Sequence, residues 1–338
     1  MILVTGGTGL VGSHLLYHLA LENDSVKAIY RNSSNLTEVK NVFACYGDDS
    51  EKLFKKIDWV EAELNDIPAL EHAFQDVTLV YHCAALVSFA PNDYQKMRQV
   101  NIDGTSNIVN LCISNSVKKL CFVSSIATIE KSLKTKYINE EGQWTTSTDK
   151  SGYAITKYGA EMEVWRASQE GVDVVIVNPG VILGCGFWDK GTGALFNKIY
   201  NGFKFYGEGI TGFVGVIDVV KIMIQLMQGD IKSERFILVA ENTSFKDIFY
   251  QVSDGFNVKR PSVKVSRFIS EFAWRFNTLI SKITGRSPKL TKYSARALHN
   301  KKYFNSDKIS QMINYQFQPI SETIEETCKA YLEEKNKH

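Results

Sequence analysis

Short runs of apolar and β-branched residues recur through the first two thirds of the chain: Ile2 to Thr5, Val26 to Tyr30, Trp59 to Glu61, Leu79 to Cys83, Leu120 to Ser124 and Val174 to Val177. Between them lie stretches of helical length and spacing, Val11 to Leu21, Ile67 to Phe74, Tyr94 to Ser114 and Tyr153 to Gln169. Strands separated by helices read as βαβ units of a parallel sheet. Right-handed crossovers place helices on both faces of such a sheet, so the pattern predicts a doubly wound α/β fold. After Pro179 the pattern changes. Gly184 to Gly215 is rich in glycine and aromatic residues and reads as irregular backbone lining a site. A helix over Val216 to Gln228, a strand over Arg235 to Val239 and two long helices, Phe268 to Ile283 and Ile320 to Glu334, complete the prediction.

Composition narrows the class. The 338 residues are 44% hydrophobic and 22% charged with only 6 Pro and 23 Gly, which excludes disorder, collagen and coiled coil. The net charge of +2 is too balanced to imply a nucleic-acid partner. Six scattered cysteines form no C-x-x-C pair, so neither a zinc site nor a disulfide framework is spelled out, and a reducing compartment is expected. With no basic leader and no run long enough to span a bilayer, a cytoplasmic protein is expected.

The chemistry begins at Val4-Thr5-Gly6-Gly7-Thr8-Gly9-Leu10-Val11-Gly12-Ser13, where glycines 6, 9 and 12 stand between the first strand and the first helix. Gly6 allows a tight turn, Gly9 lets backbone approach a pyrophosphate, and Gly12 permits close packing of helix on strand. The helix N-terminus presents N–H groups and its positive dipole end to phosphates. Thr5, Gly6, Gly7, Thr8, Gly9, Leu10, Val11 and Gly12 are therefore the candidate cradle of a nicotinamide dinucleotide in a Rossmann fold. An NAD site commonly places Asp or Glu at the end of the second strand; this chain has Arg31, followed by Asn32, Ser33 and Ser34. A guanidinium with hydroxyls suits a 2′-phosphate, so Arg31 and Ser33 predict a preference for NADP(H), with NAD(H) as the alternative. Glu63 and Leu64 are expected beside adenine, and the small Ala84 and Ala85 where ribose and diphosphate cross the sheet edge. His14 and His18 have helical i, i+4 spacing but no third ligand, and no metal is expected.

Tyr153-Ala154-Ile155-Thr156-Lys157 puts a phenol and an ammonium one helical turn apart. Tyr200/Lys204 and Tyr331/Lys335 share the spacing, but only Tyr153 follows a predicted strand ending in Ser124-Ser125. A phenol with an ordinary pKa of about 10 becomes a useful proton donor when a nearby ammonium favours the phenolate. Ser125 would hydrogen-bond the same substrate oxygen, and Ser124 would back the nicotinamide, although the two serines can exchange roles.

Together these residues resemble the extended short-chain dehydrogenase/reductase superfamily, the NAD-dependent epimerase/dehydratase group, over nearly the whole chain. Asn101-Ile102-Asp103-Gly104-Thr105-Ser106-Asn107 is similar to its helix entry after the fourth strand, and Asn178-Pro179-Gly180-Val181-Ile182-Leu183-Gly184 to its nicotinamide-contacting turn. The resemblance adds Asn101, Pro179, Gly180 and Val181 to the cofactor set and implies Ser125, Tyr153 and Lys157 as catalytic residues. Glu141, Trp144, Gly212-Phe213-Val214 and Thr284-Gly285-Arg286-Ser287-Pro288 are most similar to the dihydroflavonol-reductase and 3β-hydroxysteroid-dehydrogenase-like branch, whose members interconvert a carbonyl and a secondary alcohol. Glu63 instead of Asp, Ile126 instead of a small residue and Asn178 instead of a common Arg depart from the pattern; Ile126 would narrow the substrate side.

The implied organisation is a nucleotide-binding domain over residues 1–178, a returning helix at about 216–228, and a smaller, mainly substrate-binding domain over 179–338. The expected reaction is NAD(P)-dependent and acts on an apolar or aromatic small molecule, with Phe187, Trp188, Phe196, Tyr200, Phe203, Phe205, Tyr206 and Phe213 as candidate lining. The alternative is a nucleotide-sugar epimerase or dehydratase with tightly held NAD, for whose second diphosphate Arg235, Lys198 and Lys204 are candidates. By resemblance a homodimer through Tyr94 to Ser114 and Tyr153 to Gln169 is expected. Finally, Lys264 to Lys302 carries ten basic residues and one acid, Glu271, so the near-neutral total is a cancellation. Phe268, Ile269, Phe272, Phe276, Leu279, Ile280 and Ile283 fall at helical spacing within it. Such a helix can lie on an anionic membrane; the expectation adopted is that its apolar face packs on the domain.

Overall fold

The computed structural model describes residues 1–31, 36–47, 49–131, 136–145, 150–284, 288 and 290–336, with backbone only at 282 and 283. Ser33 and the Gly285-Arg286-Ser287 motif lie outside the described residues. The strands are β1 (Ile2–Thr5), β2 (Val26–Tyr30), β3 (Ile57–Glu61), β4 (Leu79–His82), β5 (Lys119–Val123), β6 (Asp173–Pro179), β7 (Val181–Leu183), β8 (Phe205–Tyr206), β9 (Ile210–Gly215), β10 (Glu234–Leu238), β11 (Glu241–Ser244) and β12 (Val263–Lys264). The helices are α1 (Leu10–Glu22), α2 (Leu36–Ala44), α3 (Ser50–Phe54), α4 (Ile67–Ala73), α5 (Tyr94–Arg98), α6 (Gly104–Ser114), α7 (Gly152–Gln169), α8 (Gly193–Tyr200), α9 (Val216–Gln228), α10 (Phe245–Gly255), α11 (Arg267–Thr284), α12 (Lys292–Ala297), α13 (Asp307–Met312) and α14 (Ile320–Asn336).

Seven parallel strands form the central sheet in the order β10-β6-β5-β4-β1-β2-β3. Every residue of β5 is buried, as a strand covered on both faces requires. On one face Leu15, Leu16 and Leu19 of α1 pack with Val219, Val220 and Met223 of α9. On the other, Leu70 of α4, Ile108 and Val109 of α6 and Val164 of α7 close the second layer. The doubly wound arrangement predicted from the strand and helix pattern is therefore the fold. A third core joins Leu183, Phe196 of α8, Phe213 of β9, Ile248 of α10 and Ile324 and Tyr331 of α14.

Three local expectations are corrected. The stretch Gly184 to Gly215 is not irregular throughout, because α8, β8 and β9 form within it. Most of its aromatics belong to packing: Phe196 and Phe213 are in the third core, and the partly buried Trp188, Tyr200, Phe203 and Tyr206 pack against it. The predicted helix Tyr94 to Ser114 is interrupted by a π-helical segment at Gln99–Asp103. The largest departure is α11. Its Phe268 is 83% exposed and Phe272 67%, while the small polar Ser270 and Ser281 are buried. No helix among the described residues is long and apolar enough to cross a membrane.

Candidate active site

The carboxyl ends of β1, β2, β4, β5 and β6 meet along one edge of the sheet. In open α/β sheets, ligands bind in the crevice outside these ends. At β1 the chain turns through Gly6 at φ +69°, a left-handed conformation, and a Cβ there would fall 2.6 Å from the amide nitrogen of Ala84. Gly12 packs so tightly that its Cβ would lie 2.2 Å from the Gly6 carbonyl. Gly7 is likewise a packing residue, facing Leu16 and Ala28. Gly9 differs: a Cβ would meet only the Gly6 oxygen at 3.4 Å, so its other side is open. It is the N-cap of α1, and no side chain caps that helix, whose first turn carries Leu10 and Val11. Half-buried Thr8 completes the loop.

One cleft gathers Gly6, Gly9, Arg31, Glu63, Leu64, Ala84 and Ala85, seven of the residues predicted from sequence. Ile29, Ala62, Asn65, Cys83, Leu86 and Val100, not singled out beforehand, line it as well. The open glycine at an uncapped helix start and the small residues after β4 fit a dinucleotide diphosphate. Two predicted contacts are committed elsewhere. Buried Thr5 bonds His82 Nδ1 at 2.6 Å through Oγ1, and His82 Nε2 lies 2.9 Å from Thr105 Oγ1. Asn101 receives the Leu86 amide at 2.7 Å and donates to Thr156 at 3.0 Å, tying the loop after β4 to α7.

Ser124 donates to the Glu161 carboxylate at 2.6 Å and is buried. Ser125 instead accepts the Ala127 amide at 3.1 Å and acts electrostatically on the Tyr153 hydroxyl, so the two serines have different surroundings. Ser151 fixes this geometry by capping α7, accepting the Ala154 amide at 3.1 Å, so that Tyr153 stands in the first turn. Lys157, one turn on and 2% exposed, donates to the Val123 carbonyl at 2.6 Å. Burial pushes its ammonium down to about 7 against the opposing pull of Glu161 and Cys83. Burial also raises the Tyr153 phenol, and the Ser125 side chain draws it partly back. The lowering expected from the Lys157 charge is therefore not the dominant influence without cofactor.

The turn Pro179-Gly180-Val181 leaves β6 beside these residues, since the Ser124 amide donates to Val177 at 2.7 Å. Gly180 sits against the Gly212 carbonyl, which a Cβ would approach to 2.4 Å. Sequence reasoning missed the hub behind the site. Glu161, fully buried, accepts from Ser124, from Thr128 at 2.9 Å and from Asn178 at 3.0 Å, and pairs with Arg235 at 3.1 Å. Its spacing of four residues from Lys157 was the available signal. Arg235 also donates to the carbonyls of Glu140 and Gly142. Ile126, half-buried, packs toward the cluster of Ile129, Ile237, Val239 and Phe304. The apolar wall at the tyrosine is Phe89, 46% exposed, with its ring 5.9 Å from that of Tyr153. His14 is bonded to the Tyr46 hydroxyl and the Cys185 carbonyl, and the described residues contain no metal-ligating cluster.

A model for an NAD-binding family described as Male sterility protein matches residues 4–215. The chain belongs to this family, within the extended short-chain dehydrogenases/reductases. Like those enzymes it is an NAD(P)-dependent oxidoreductase. It is 27% identical to anthocyanidin reductase of Arabidopsis thaliana over 335 residues, covering 92% of this chain and 93% of that protein. It is 26% identical to sterol demethylase protein B of Methylococcus capsulatus over 90% of each chain. Among solved structures, UDP-glucose 4-epimerase of Thermotoga maritima superimposes with a TM-score of 0.77 at 20% identity, covering 98% of this chain and 99% of that one. At that identity the likeness is one of fold. The oxidoreductase therefore carries its NAD-binding motif and Tyr153-Lys157 helix on the architecture its family shares.

Proposed function

We propose that this enzyme interconverts a carbonyl and a secondary alcohol on an apolar or aromatic small molecule, with NADP(H) preferred. The observation that carries the reading is the Tyr153 hydroxyl placed beside Ser125 at the sheet edge, with Lys157 buried one turn along and Phe89 forming an apolar wall. Gly6, Gly9 and the first turn of α1 would hold the diphosphate, Glu63, Leu64, Ala84 and Ala85 the adenosine side, and Pro179 to Val181 the nicotinamide end. Bound NADPH supplies a hydride. Tyr153 Oη holds the proton destined for the substrate oxygen, and Ser125 Oγ orients that oxygen and stabilises the charge growing on it. The Lys157 ammonium, which has three donors and uses one on Val123, offsets the charge left on the phenol.

Arg31 is exposed at the end of β2 and lines the cleft, where its guanidinium would meet a 2′-phosphate. Arg31→Ala is expected to raise the KM for NADPH by roughly tenfold while leaving that for NADH nearly unchanged, read from initial rates with each cofactor. What favours this reading over a nucleotide-sugar epimerase is Arg235, whose guanidinium is taken up by Glu161 and two carbonyls. Lys198 and Lys204 are exposed. The deciding experiment follows NADPH and NADH oxidation against panels of ketones, aldehydes and nucleotide sugars. Turnover of apolar carbonyls with net cofactor oxidation supports the proposal; interconversion of nucleotide sugars by protein purified with bound NAD overturns it.

A further inference from the structure

We propose that α11 is a peripheral docking element that lays the protein on an anionic lipid bilayer. At about 100° per residue, Phe268, Ile269, Phe272, Phe276, Leu279 and Ile280 occupy one arc of roughly 120°. All six are exposed, between 41% and 83%. The helix is held to the molecule by its other face. Buried Ser270 bonds His299 Nε2 at 2.8 Å, and Asn277 accepts the Leu290 amide at 3.3 Å. A surface helix ordinarily does the reverse, burying its apolar stripe and wetting its polar one. Here the polar face is the anchor and the apolar face is presented outward.

In the ribbon that precedes the helix, exposed Val263 of β12 pairs in register with exposed Phe205 of β8. Charge selects the occupant. The segment from Lys264 to Lys302 has ten basic residues against one acid. Lys264 and Arg275 are ion-paired with Glu208 and Glu271, while Arg267 and Lys301 are exposed as well. Apposing the same face of a second copy would bring two strongly positive segments together. An anionic lipid surface accepts both features at once, the apolar arc entering the acyl boundary and the basic residues meeting headgroups. With no helix among the described residues long and apolar enough to cross, the element would lie on the membrane.

The test is flotation of the full chain with vesicles of phosphatidylcholine alone and with phosphatidylserine added at roughly one part in four. The expected result is recovery with the anionic vesicles at least about tenfold above the neutral ones, reduced at about 0.5 M salt where the Debye length shrinks. Phe272→Ser/Phe276→Ser should lower vesicle recovery about tenfold or more, with melting temperature and NADPH affinity unchanged, because neither ring is in the core. Arg267→Gln/Arg275→Gln should weaken the preference for anionic vesicles even if the phenylalanine variant folds poorly. The proposal is overturned if the unmodified protein floats with neither vesicle, or if both variants float as it does. Sedimentation velocity supplies a further refutation: loss of a dimer in the phenylalanine variant, without vesicle binding by the parent, gives the face to a second copy.

Discussion

At Tyr153 and Lys157, two side chains owe their properties to the same dry pocket, but burial acts on them in opposite senses. It keeps the phenol protonated and makes the ammonium easy to deprotonate. Tyr153→Phe removes only the hydroxyl, so we expect turnover to fall roughly 10³-fold with NADPH affinity within about twofold, measured by initial rates and fluorescence titration. Lys157 permits a thermodynamic check. Its pKa is lowered on folding to about 7, so the native state binds fewer protons than the unfolded chain from about pH 7 up to the ordinary lysine value. The sign makes stability rise with pH across that window, by up to about 1.4 kcal/mol per pH unit, and leaves the penalty of the buried charge fully present below it. Lys157→Met should therefore raise the melting temperature of the cofactor-free protein more at pH 6 than at pH 9. An equal shift at both would show that the buried amine carries no charge penalty.

Between elements, the decisive connection is Glu161, through which α7 grips the ends of β5, β6 and β10. One carboxylate receives Ser124, Thr128, Asn178 and Arg235. Removing one partner of a buried ion pair leaves the other charge uncompensated, a loss of about 3–5 kcal/mol. Glu161→Ala should destabilise by that order in urea melts. Glu161→Gln, which keeps hydrogen-bonding capacity, should recover part of the loss. The substitution noted in the sequence at Asn178 is thereby given a setting, since its amide joins the same carboxylate. None of this could be read from Glu161 alone: its partners come from three strands and a turn, and one-dimensional spacing links it only to Lys157. The glycine turn, by contrast, was legible because the strand, turn and helix that give it meaning are contiguous. The aromatic stretch after Pro179 misled for the same reason, because a core and a cleft lining have the same composition. The α11 stripe was visible in the sequence, but the direction it faces is set by what Ser270 and Asn277 bind far along the chain.

For the molecule as a whole, the buried His14 and His82 and the half-buried His18 set the acid limit. Burial, aided by the Lys157 charge, holds His82 down to about 3; burial also takes His14 and His18 to about 4, with the backbone bond from Cys185 opposing it at His14. All three lie below the ordinary 6.5. The unfolded chain then takes up protons that the native state refuses, so the stability is fully present above about pH 6.5 and drains away as pH falls toward these values. Urea melts from pH 8 to 5 in a Lys157→Met background, which removes the lysine contribution, should show the decline beginning near 6.5, above the carboxylate range. His82→Gln should make it about one third shallower over that interval. Dependence on pH that begins only near 4 would refute the assignment. The strand order carries one more consequence, for the sequence of assembly. The edge strand β10 bears Arg235, which lies 74 residues beyond Glu161. Until that strand joins, the carboxylate at the centre of the site lacks its countercharge, so the six strands made earlier can collapse into a sheet without the reaction centre being locked. Synthesis of the chain thus delays a finished site until its last sheet strand has been made.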